Sequence, residues 1–107
     1  MPTYVLMTKL STKVEADPRG RKAVGKEWKK MVDRTCPEVH WVAHYALLGR
    51  YDFMDIYEAP DDAAAHKVSL LSLTHGAVSA ESWPALPYEK FLAIADSVER
   101  AAGGKKK

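Results

Sequence analysis

The stretch YALLGRYDFMDIYEAP, residues 45–60, decides how the rest of the chain can fold. Two runs rich in apolar and aromatic residues flank Gly49-Arg50, and Ala59-Pro60 closes the segment. A glycine between two such runs is typical of a tight turn, so the stretch predicts a β-hairpin that reverses at Gly49-Arg50. We expect the other elements to pack around this hairpin.

Before the hairpin, the sequence predicts one strand and one long helix. Residues 4–7 form an uninterrupted apolar run, which is typical of a strand that is covered on both faces. Asp17 and Pro18 then form a helix-start signal, because aspartate is a good N-cap and proline fits the first helical position. Apolar residues at helical spacing over residues 24–32 indicate an amphipathic helix that ends at Cys36-Pro37.

After the hairpin, the sequence predicts a second helix, a fourth strand and a C-terminal helix. Residues 60–62 (PDD) start a helix that ends at Gly76, and residues 77–83 form a strand before Pro84. Pro87 opens the last helix, which carries apolar side chains on one face.

The order of these elements predicts the fold class. The order is βαββαβ plus a C-terminal helix, which indicates an α+β, ferredoxin-like sandwich with an antiparallel four-stranded sheet and helices on one face. We expect one domain over residues 1–102, in which residues 87–102 form the C-terminal helix. A disordered lysine tail is expected at residues 103–107.

Length, charge and cysteine content indicate which classes of partner and which cellular compartment to expect. The 107 residues suffice for one domain. The formal net charge of +2 includes +3 from the lysines at residues 105–107, so the rest of the chain carries −1. A near-neutral body lacks the basic face that nucleic acid requires, and no apolar run is long enough to span a membrane, so we expect neither partner. A single cysteine, Cys36, and the lack of a signal-peptide pattern favour a cytoplasmic location.

The hairpin also carries a resemblance to a known family. Residues 45–53 and 58–62, with residues 2–5 and 8–10 near the start, resemble the GYD domain family of small bacterial and archaeal proteins. The residues behind the family name are Gly49, Tyr51 and Asp52, with Arg50 as a spacer. The likeness covers roughly residues 1–91 and implies a ferredoxin-like fold similar to dimeric α+β barrel proteins. It implies no activity, since the family is essentially uncharacterised.

The register of the hairpin predicts a pair of titratable residues. If the loop is Gly49-Arg50 alone, the facing pairs are Leu48–Tyr51, Ala46–Phe53, His44–Asp55 and Val42–Tyr57. A carboxylate beside an imidazole orients its tautomer and raises its basicity, so His44 and Asp55 are candidate catalytic residues. The alternative is a structural hydrogen-bonded pair. A loop of three or four residues would shift the register and remove the pairing.

Six aromatic and turn residues complete the candidate site. Tyr4, Tyr51 and Tyr57 are candidate ligand-binding residues in a cleft between sheet and helices. The turn residues Gly49, Arg50, Tyr51 and Asp52 are expected to be structural, with Asp52 accepting backbone N–H bonds that lock the turn.

We expect neither a metal nor a cofactor. His40 and His44 have the i, i+4 spacing of metal ligands on a helix, but on a strand they lie ~13 Å apart, too far to share one ion. The sequence contains no haem-ligand motif, nucleotide-binding loop, nucleophile elbow or CxxC pair.

Both faces of the hairpin are rich in apolar residues. Two helices cover only one face of a sheet, so the other face needs the C-terminal helix or a second subunit. This pattern predicts a homodimer through the sheet face. One hairpin face carries Val42, Ala46, Leu48, Phe53 and Tyr57, and the other carries Trp41, Ala43, Tyr45, Leu47, Met54 and Ile56.

Two functions stay open. The preferred one is a small-molecule-binding or interaction module that acts as a homo-oligomer. The alternative is a cofactor-independent enzyme of the oxygenase or isomerase type, with His44 as general base and Asp55 as its orienting partner. A cavity on the order of several hundred Å³ that reaches His44 would favour the enzyme, whereas a His44 sealed from solvent would favour binding or a structural role.

Overall fold

In a computed structural model, which describes residues 1–16 and 18–103, the four strands form one antiparallel sheet in the order β2-β3-β1-β4. This arrangement confirms the predicted ferredoxin-like fold with an added C-terminal helix. The elements are β1 (Thr3–Leu10), α1 (Thr12–Glu15), α2 (Gly20–Thr35), β2 (His40–Ala46), β3 (Phe53–Glu58), α3 (Asp62–Thr74), β4 (Ala77–Ala85) and α4 (Tyr88–Gly103).

The core lies between one face of the sheet and the helices α2 and α3. Alternate residues of β1 point into it, and Tyr4 and Leu6 are buried there beside Tyr57 of β3. Val32 of α2 and Val68 of α3 cover them from the other side and are fully buried. Burial of each such side chain contributes roughly 1.5–3 kcal/mol. We call this face of the sheet the helix-side face, and the opposite one the open face.

The helix α2 begins later than the sequence predicts. It starts at Gly20, and Pro18 lies in the turn before it. Gly20 has a φ of +86°, so the backbone changes direction at the first residue of the helix. The predicted N-cap, Asp17, lies outside the described residues. At the other end of the chain, α4 includes Gly103, and residues 104–107 of the predicted tail also lie outside the description.

Near the turn, the register of β2 and β3 agrees with the prediction. Ala46 lies opposite Phe53, and His44 lies opposite Asp55. The Leu47 N–H donates to the carbonyl of Asp52 at 2.9 Å, so the turn spans the four residues 48–51 rather than Gly49-Arg50 alone. The predicted Leu48–Tyr51 pair is therefore wrong. A loop lengthened by one residue on each side leaves the register beyond it unchanged, which is why the His44–Asp55 pair is retained.

A β-bulge at Val42 shifts the register farther from the turn. Trp41 lies opposite Tyr57 and Ala43 lies opposite Ile56, so the predicted Val42–Tyr57 pair is wrong. A bulge adds one residue to one strand and reverses the alternation of side chains beyond it. Trp41 therefore lies on the helix-side face, the same face as His44, although simple alternation predicts the opposite face.

Four aromatic rings form a continuous cluster on the helix-side face. The ring of Trp41 lies 5.3 Å from Trp28 of α2 and 5.1 Å from Tyr57, which stacks on Tyr4 at 5.4 Å. The Trp28 Nε1–H donates to the Ser72 Oγ at 2.9 Å. The Trp41 Nε1–H is buried and has no acceptor among the described residues. The two indoles thus differ in hydrogen bonding within one cluster.

The helix α4 stands apart from the core. None of its 16 residues, all of them described, is buried. Its amphipathic face exposes apolar side chains to solvent, so α4 does not cover the open face of the sheet. These side chains are Tyr88, Phe91, Leu92, Ile94 and Val98. Each helix in the described part of the chain is too short or too polar to span a bilayer.

The difference between the two indoles predicts different losses of stability. Trp28→Phe and Trp41→Phe remove the same atoms from one cluster, but only Trp28→Phe breaks a hydrogen bond. We expect Trp28→Phe to lower the free energy of unfolding by about 1–2 kcal/mol more than Trp41→Phe, because the latter removes an unsatisfied donor. Denaturant unfolding followed by circular dichroism measures both. An equal loss, or a larger loss for Trp41→Phe, would contradict the assignment.

Candidate functional site

A cavity of about 710 Å³ lies between α2 and the helix-side face of the sheet. Its volume falls within the range of small-molecule sites. It sits at the end of the sheet where β1 finishes and β4 begins, because Leu10 and Ala77 both line it. Most of its wall is apolar. The apolar lining side chains include Leu10, Val14, Val24, Trp28, Trp41 and Phe53.

The wall formed by α2 is one stripe of the helix surface. The lining residues of this helix stand at positions 21, 22, 24, 25, 28 and 29, which is the spacing of a single helical face. Gly25 lies in the middle of that stripe, and a Cβ atom built on it would meet nothing within 4 Å. The absence of a side chain at Gly25 therefore contributes to the open volume.

His44 and Asp55 form a hydrogen-bonded pair at the sheet wall of the cavity, between the imidazole Nδ1 and the carboxylate Oδ1. The Asp55 side chain is 6% exposed, whereas that of His44 is 61% exposed. Burial raises the pKa of the Asp55 carboxyl above its usual value, and the nearby His44 opposes that rise. The ring of Phe53 stacks on the imidazole at 5.5 Å and limits its rotation.

This geometry fixes what the pair can do chemically. Because Asp55 binds Nδ1, the Nε2 of a neutral His44 carries the lone pair, and Nε2 has no hydrogen bond to a described residue. The pair can therefore take a proton from a molecule in the cavity or return one to it. Ser72 also lines the cavity, but its hydroxyl donates to the Val68 carbonyl and accepts from Trp28. Its hydroxyl proton is thus already engaged.

The three candidate ligand-binding tyrosines are not among the described lining residues. Tyr4 donates to the Asp62 Oδ1 at 2.6 Å, and this bond, with burial, raises the pKa of Tyr4 to about 12. Tyr57 donates to the Ser82 Oγ at 2.7 Å. Both lie on the predicted face of the sheet, but toward the start of β1 and away from the cavity. Tyr51 lies on the open face, where it contacts β4 instead.

The turn residues make contacts that fit a structural role. The Asp52 carboxylate accepts the backbone N–H of Leu10 at 2.7 Å, and the Asp52 N–H donates to the carbonyl of Thr8 at 2.8 Å. These bonds fasten the turn to the end of β1 rather than closing the turn on itself. Gly49 has a φ of +143°, which favours glycine at this position.

A small polar cluster extends from the turn across the open face. The Arg50 guanidinium lies 5.5 Å from the centre of the Tyr51 ring, and Tyr51 donates to the Glu81 carboxylate at 3.1 Å. Trp83 donates to the other oxygen of Glu81 at 2.8 Å. The bonds from Trp83 and Tyr51 hold the pKa of Glu81 below its usual value.

Metal-ligating side chains do not cluster in the described part of the chain. No group of three or more histidine, cysteine, aspartate or glutamate residues there could hold a metal ion. His40 lies opposite Glu58 and His44 opposite Asp55, so the bulge places the two histidines on different faces of the sheet. Cys36 is buried, and burial raises the pKa of its thiol.

The sequence alone does not identify several of the residues that line the cavity. The amphipathic pattern assigns Lys22 and Lys29 to the polar faces of the helix, and it gives no role to Arg21 or Gly25. For Arg21 and Gly25 the available signal is their spacing relative to Trp28, because residues three and seven positions away share its face. Lys22 and Lys29 lack this spacing. His75 also lines the cavity at the end of α3.

Comparisons with known proteins extend this description. The family model of the GYD domain matches residues 4–95. A Thermus thermophilus protein described as "Glutamine synthetase and cystathionine beta-lyase binding protein" is 29% identical over 97 residues, which cover 87% of this chain and 97% of the relative. No solved structure matches the chain significantly. Because the family match runs from β1 into α4, the chain belongs to the GYD domain family.

Proposed function

We propose that this chain is a small-molecule-binding module that works together with protein partners. The observation that carries the proposal is the cavity of about 710 Å³ with its largely apolar wall. Cavities of this size with a few convergent polar groups are the usual form of small-molecule sites. Here the convergent polar groups are the His44–Asp55 pair, Thr8, Ser72 and His75.

The relative supports the part of the proposal that concerns protein partners. The Thermus thermophilus protein is described as a binding protein for glutamine synthetase and cystathionine beta-lyase, which are enzymes. A small domain that binds both a metabolite and an enzyme would couple the concentration of the metabolite to the activity of the enzyme. Protein partners of this chain are proposed on this similarity, and the ligand cavity is proposed on its own geometry.

A neutral aromatic probe tests the binding function. We expect 2-naphthylmethanol to bind the wild-type protein in isothermal titration calorimetry. Gly25→Leu should weaken this binding by about tenfold or more, since its side chain enters the open volume beside Gly25. Gly25→Ala is the matched control, because both variants improve helix propensity by up to about 1 kcal/mol but only leucine fills the cavity. The proposal fails if the probe does not bind, or if Gly25→Leu binds it as wild type does.

A proton-transfer enzyme is the second candidate, and one observation favours it. The cavity reaches His44, whose imidazole is exposed and whose Nδ1 is held by the buried Asp55. In this mechanism, Nε2 of His44 removes a proton from the bound substrate, and Asp55 stabilises the resulting imidazolium. Proton transfer by His44 needs no cofactor, which fits the hypothesis of a cofactor-independent oxygenase or isomerase.

Proton abstraction can be tested without the natural substrate. We expect the protein to accelerate the base-catalysed ring opening of 5-nitrobenzisoxazole, and His44→Ala to lower this rate at least about tenfold. Asp55→Asn should lower it less, because the imidazole remains. His40→Ala is the control, since His40 lies on the same strand but on the open face. If His44→Ala and His40→Ala have equal rates, His44 is not a general base and the binding function stands alone.

We also propose that a second copy of this chain covers the open face of the sheet. The centre of that face is apolar, with Met7 flanked by Val5 and Ile56, and more exposed aromatic side chains follow at Tyr45 and Trp83. All the helices that contribute buried residues to the core pack on the other face, and α4 has no buried residue. An apolar sheet face of this kind is typical of an interface.

Light scattering tests the dimer. We expect a dimer at micromolar concentration and a monomer for Tyr45→Lys, because the new charge would be buried in the interface. Leu70→Lys should remain dimeric, since Leu70 is comparably exposed but lies on α3, away from the open face. A wild-type monomer, or an equal effect of the two variants, would rule out the sheet-face dimer.

A further inference from the structure

The charges that line the cavity are unequal in sign. Three cationic side chains of α2 line it, whereas Asp55 is the one carboxylate among its described lining residues. Asp55 is already paired with His44. The three cations are Arg21, Lys22 and Lys29. The cavity therefore combines an apolar wall with a surplus of positive charge on one side.

The three cations differ in how far they are already neutralised. Lys29 is held by Asp33, with its Nζ 2.9 Å from one carboxylate oxygen. Arg21 lies 3.8 Å from Glu15, beyond hydrogen-bond distance. Lys22 forms no ion pair with any residue that the structure describes. Lys22 and, in part, Arg21 are thus available to an external anion.

The position of these two residues on α2 is unfavourable for cations, and among the described residues Glu15 offsets this for Arg21 but not for Lys22. Arg21 and Lys22 lie directly after Gly20, where the helix dipole is positive, and α2 has no acidic residue in its first turn. Cations near a helix N-terminus are unfavourable, and anions there are favourable. A sequence that breaks a local stability rule at the wall of a cavity is typical of a functional site. A bound anion would reverse the unfavourable interaction.

We propose that the cavity selects an amphipathic organic anion: a flat apolar body against the indole walls, with a carboxylate held by Lys22 and Arg21. This inference rests on the proposed binding function. Trp28 and Trp41 supply the aromatic surface, and Lys29, whose Nζ lies 6.0 Å from the Trp41 ring, borders it. The carboxylate receives charge-assisted hydrogen bonds, which are stronger than those between neutral groups.

Three probes with one ring system separate charge from shape. These are 2-naphthoate, 2-naphthylmethanol and 2-naphthylmethylammonium, each titrated into the full chain by isothermal titration calorimetry. We expect 2-naphthoate to bind about tenfold or more tightly than the alcohol, and the ammonium probe to bind most weakly. Raising the salt concentration should reduce both the advantage of 2-naphthoate and the disadvantage of the ammonium probe relative to the alcohol, because salt screens exposed charges.

Matched variants locate the charge. Lys22→Gln should remove at least about half of the logarithmic preference for 2-naphthoate over the alcohol, and Arg21→Gln should reduce it further when combined. Lys26→Gln is the control, because Lys26 is on the same helix but is not among the residues that line the cavity. The variants should stay folded, since Lys22→Gln and Arg21→Gln each remove a cation that opposes the helix dipole and Lys26 is an exposed side chain. Affinity for the neutral alcohol checks the cavity itself in each variant.

The outcomes separate this inference from the binding function. If 2-naphthoate and the alcohol bind equally and Gly25→Leu blocks both, the cavity is a binding site but the anion preference is refuted. If Lys26→Gln lowers the preference as much as Lys22→Gln, the preference is a general charge effect and the assigned residues are wrong. If no probe binds in a way that Gly25→Leu blocks, the binding function itself fails.

Discussion

The β-bulge at Val42 is the constraint on which the candidate site depends. In a regular strand, Trp41 and His44 would point to opposite faces of the sheet. The bulge reverses the alternation between them, so both reach the helix-side face and line the same cavity. Trp41 then packs between Trp28 and Tyr57, and this contact joins the edge strand β2 to α2 and to the core. The same reversal places His40 on the open face, which separates the two histidines of the strand.

The cavity exists because side chains do not completely fill this part of the core. Gly25 leaves space in the wall where another residue would project a side chain, and Trp41 has a buried donor without a described acceptor. Asp55 is buried and depends on His44 to offset the cost of its charge. Each feature lowers stability relative to a filled apolar core. Their concentration around one volume is the physical reason to regard it as a functional site rather than a packing defect.

The sequence predicts the order of elements apart from the short helix α1, the fold class and the His44–Asp55 pair, because strand alternation and a turn signal are local properties. It predicts that pair through a two-residue loop, whereas the four-residue turn from Leu48 to Tyr51 happens to preserve the register. The Val42 bulge has no comparable signal, since no glycine or proline marks it. The tyrosines show a second limit, because alternation assigns Tyr4 and Tyr57 to a face but not to a position along the sheet. The role of α2 in the cavity depends on how the helix packs, which its amphipathic pattern alone does not determine.

A crystal structure of the protein with 2-naphthoate bound tests the central claim most directly. The account predicts electron density for the naphthalene ring in the cavity against Trp28 and Trp41, with the carboxylate within hydrogen-bond distance of Lys22 or Arg21. It further predicts no displacement of the His44–Asp55 pair, since that pair lies on the sheet wall opposite α2. Density on the exposed apolar face of α4 or on the open face of the sheet, with an empty cavity, would contradict it.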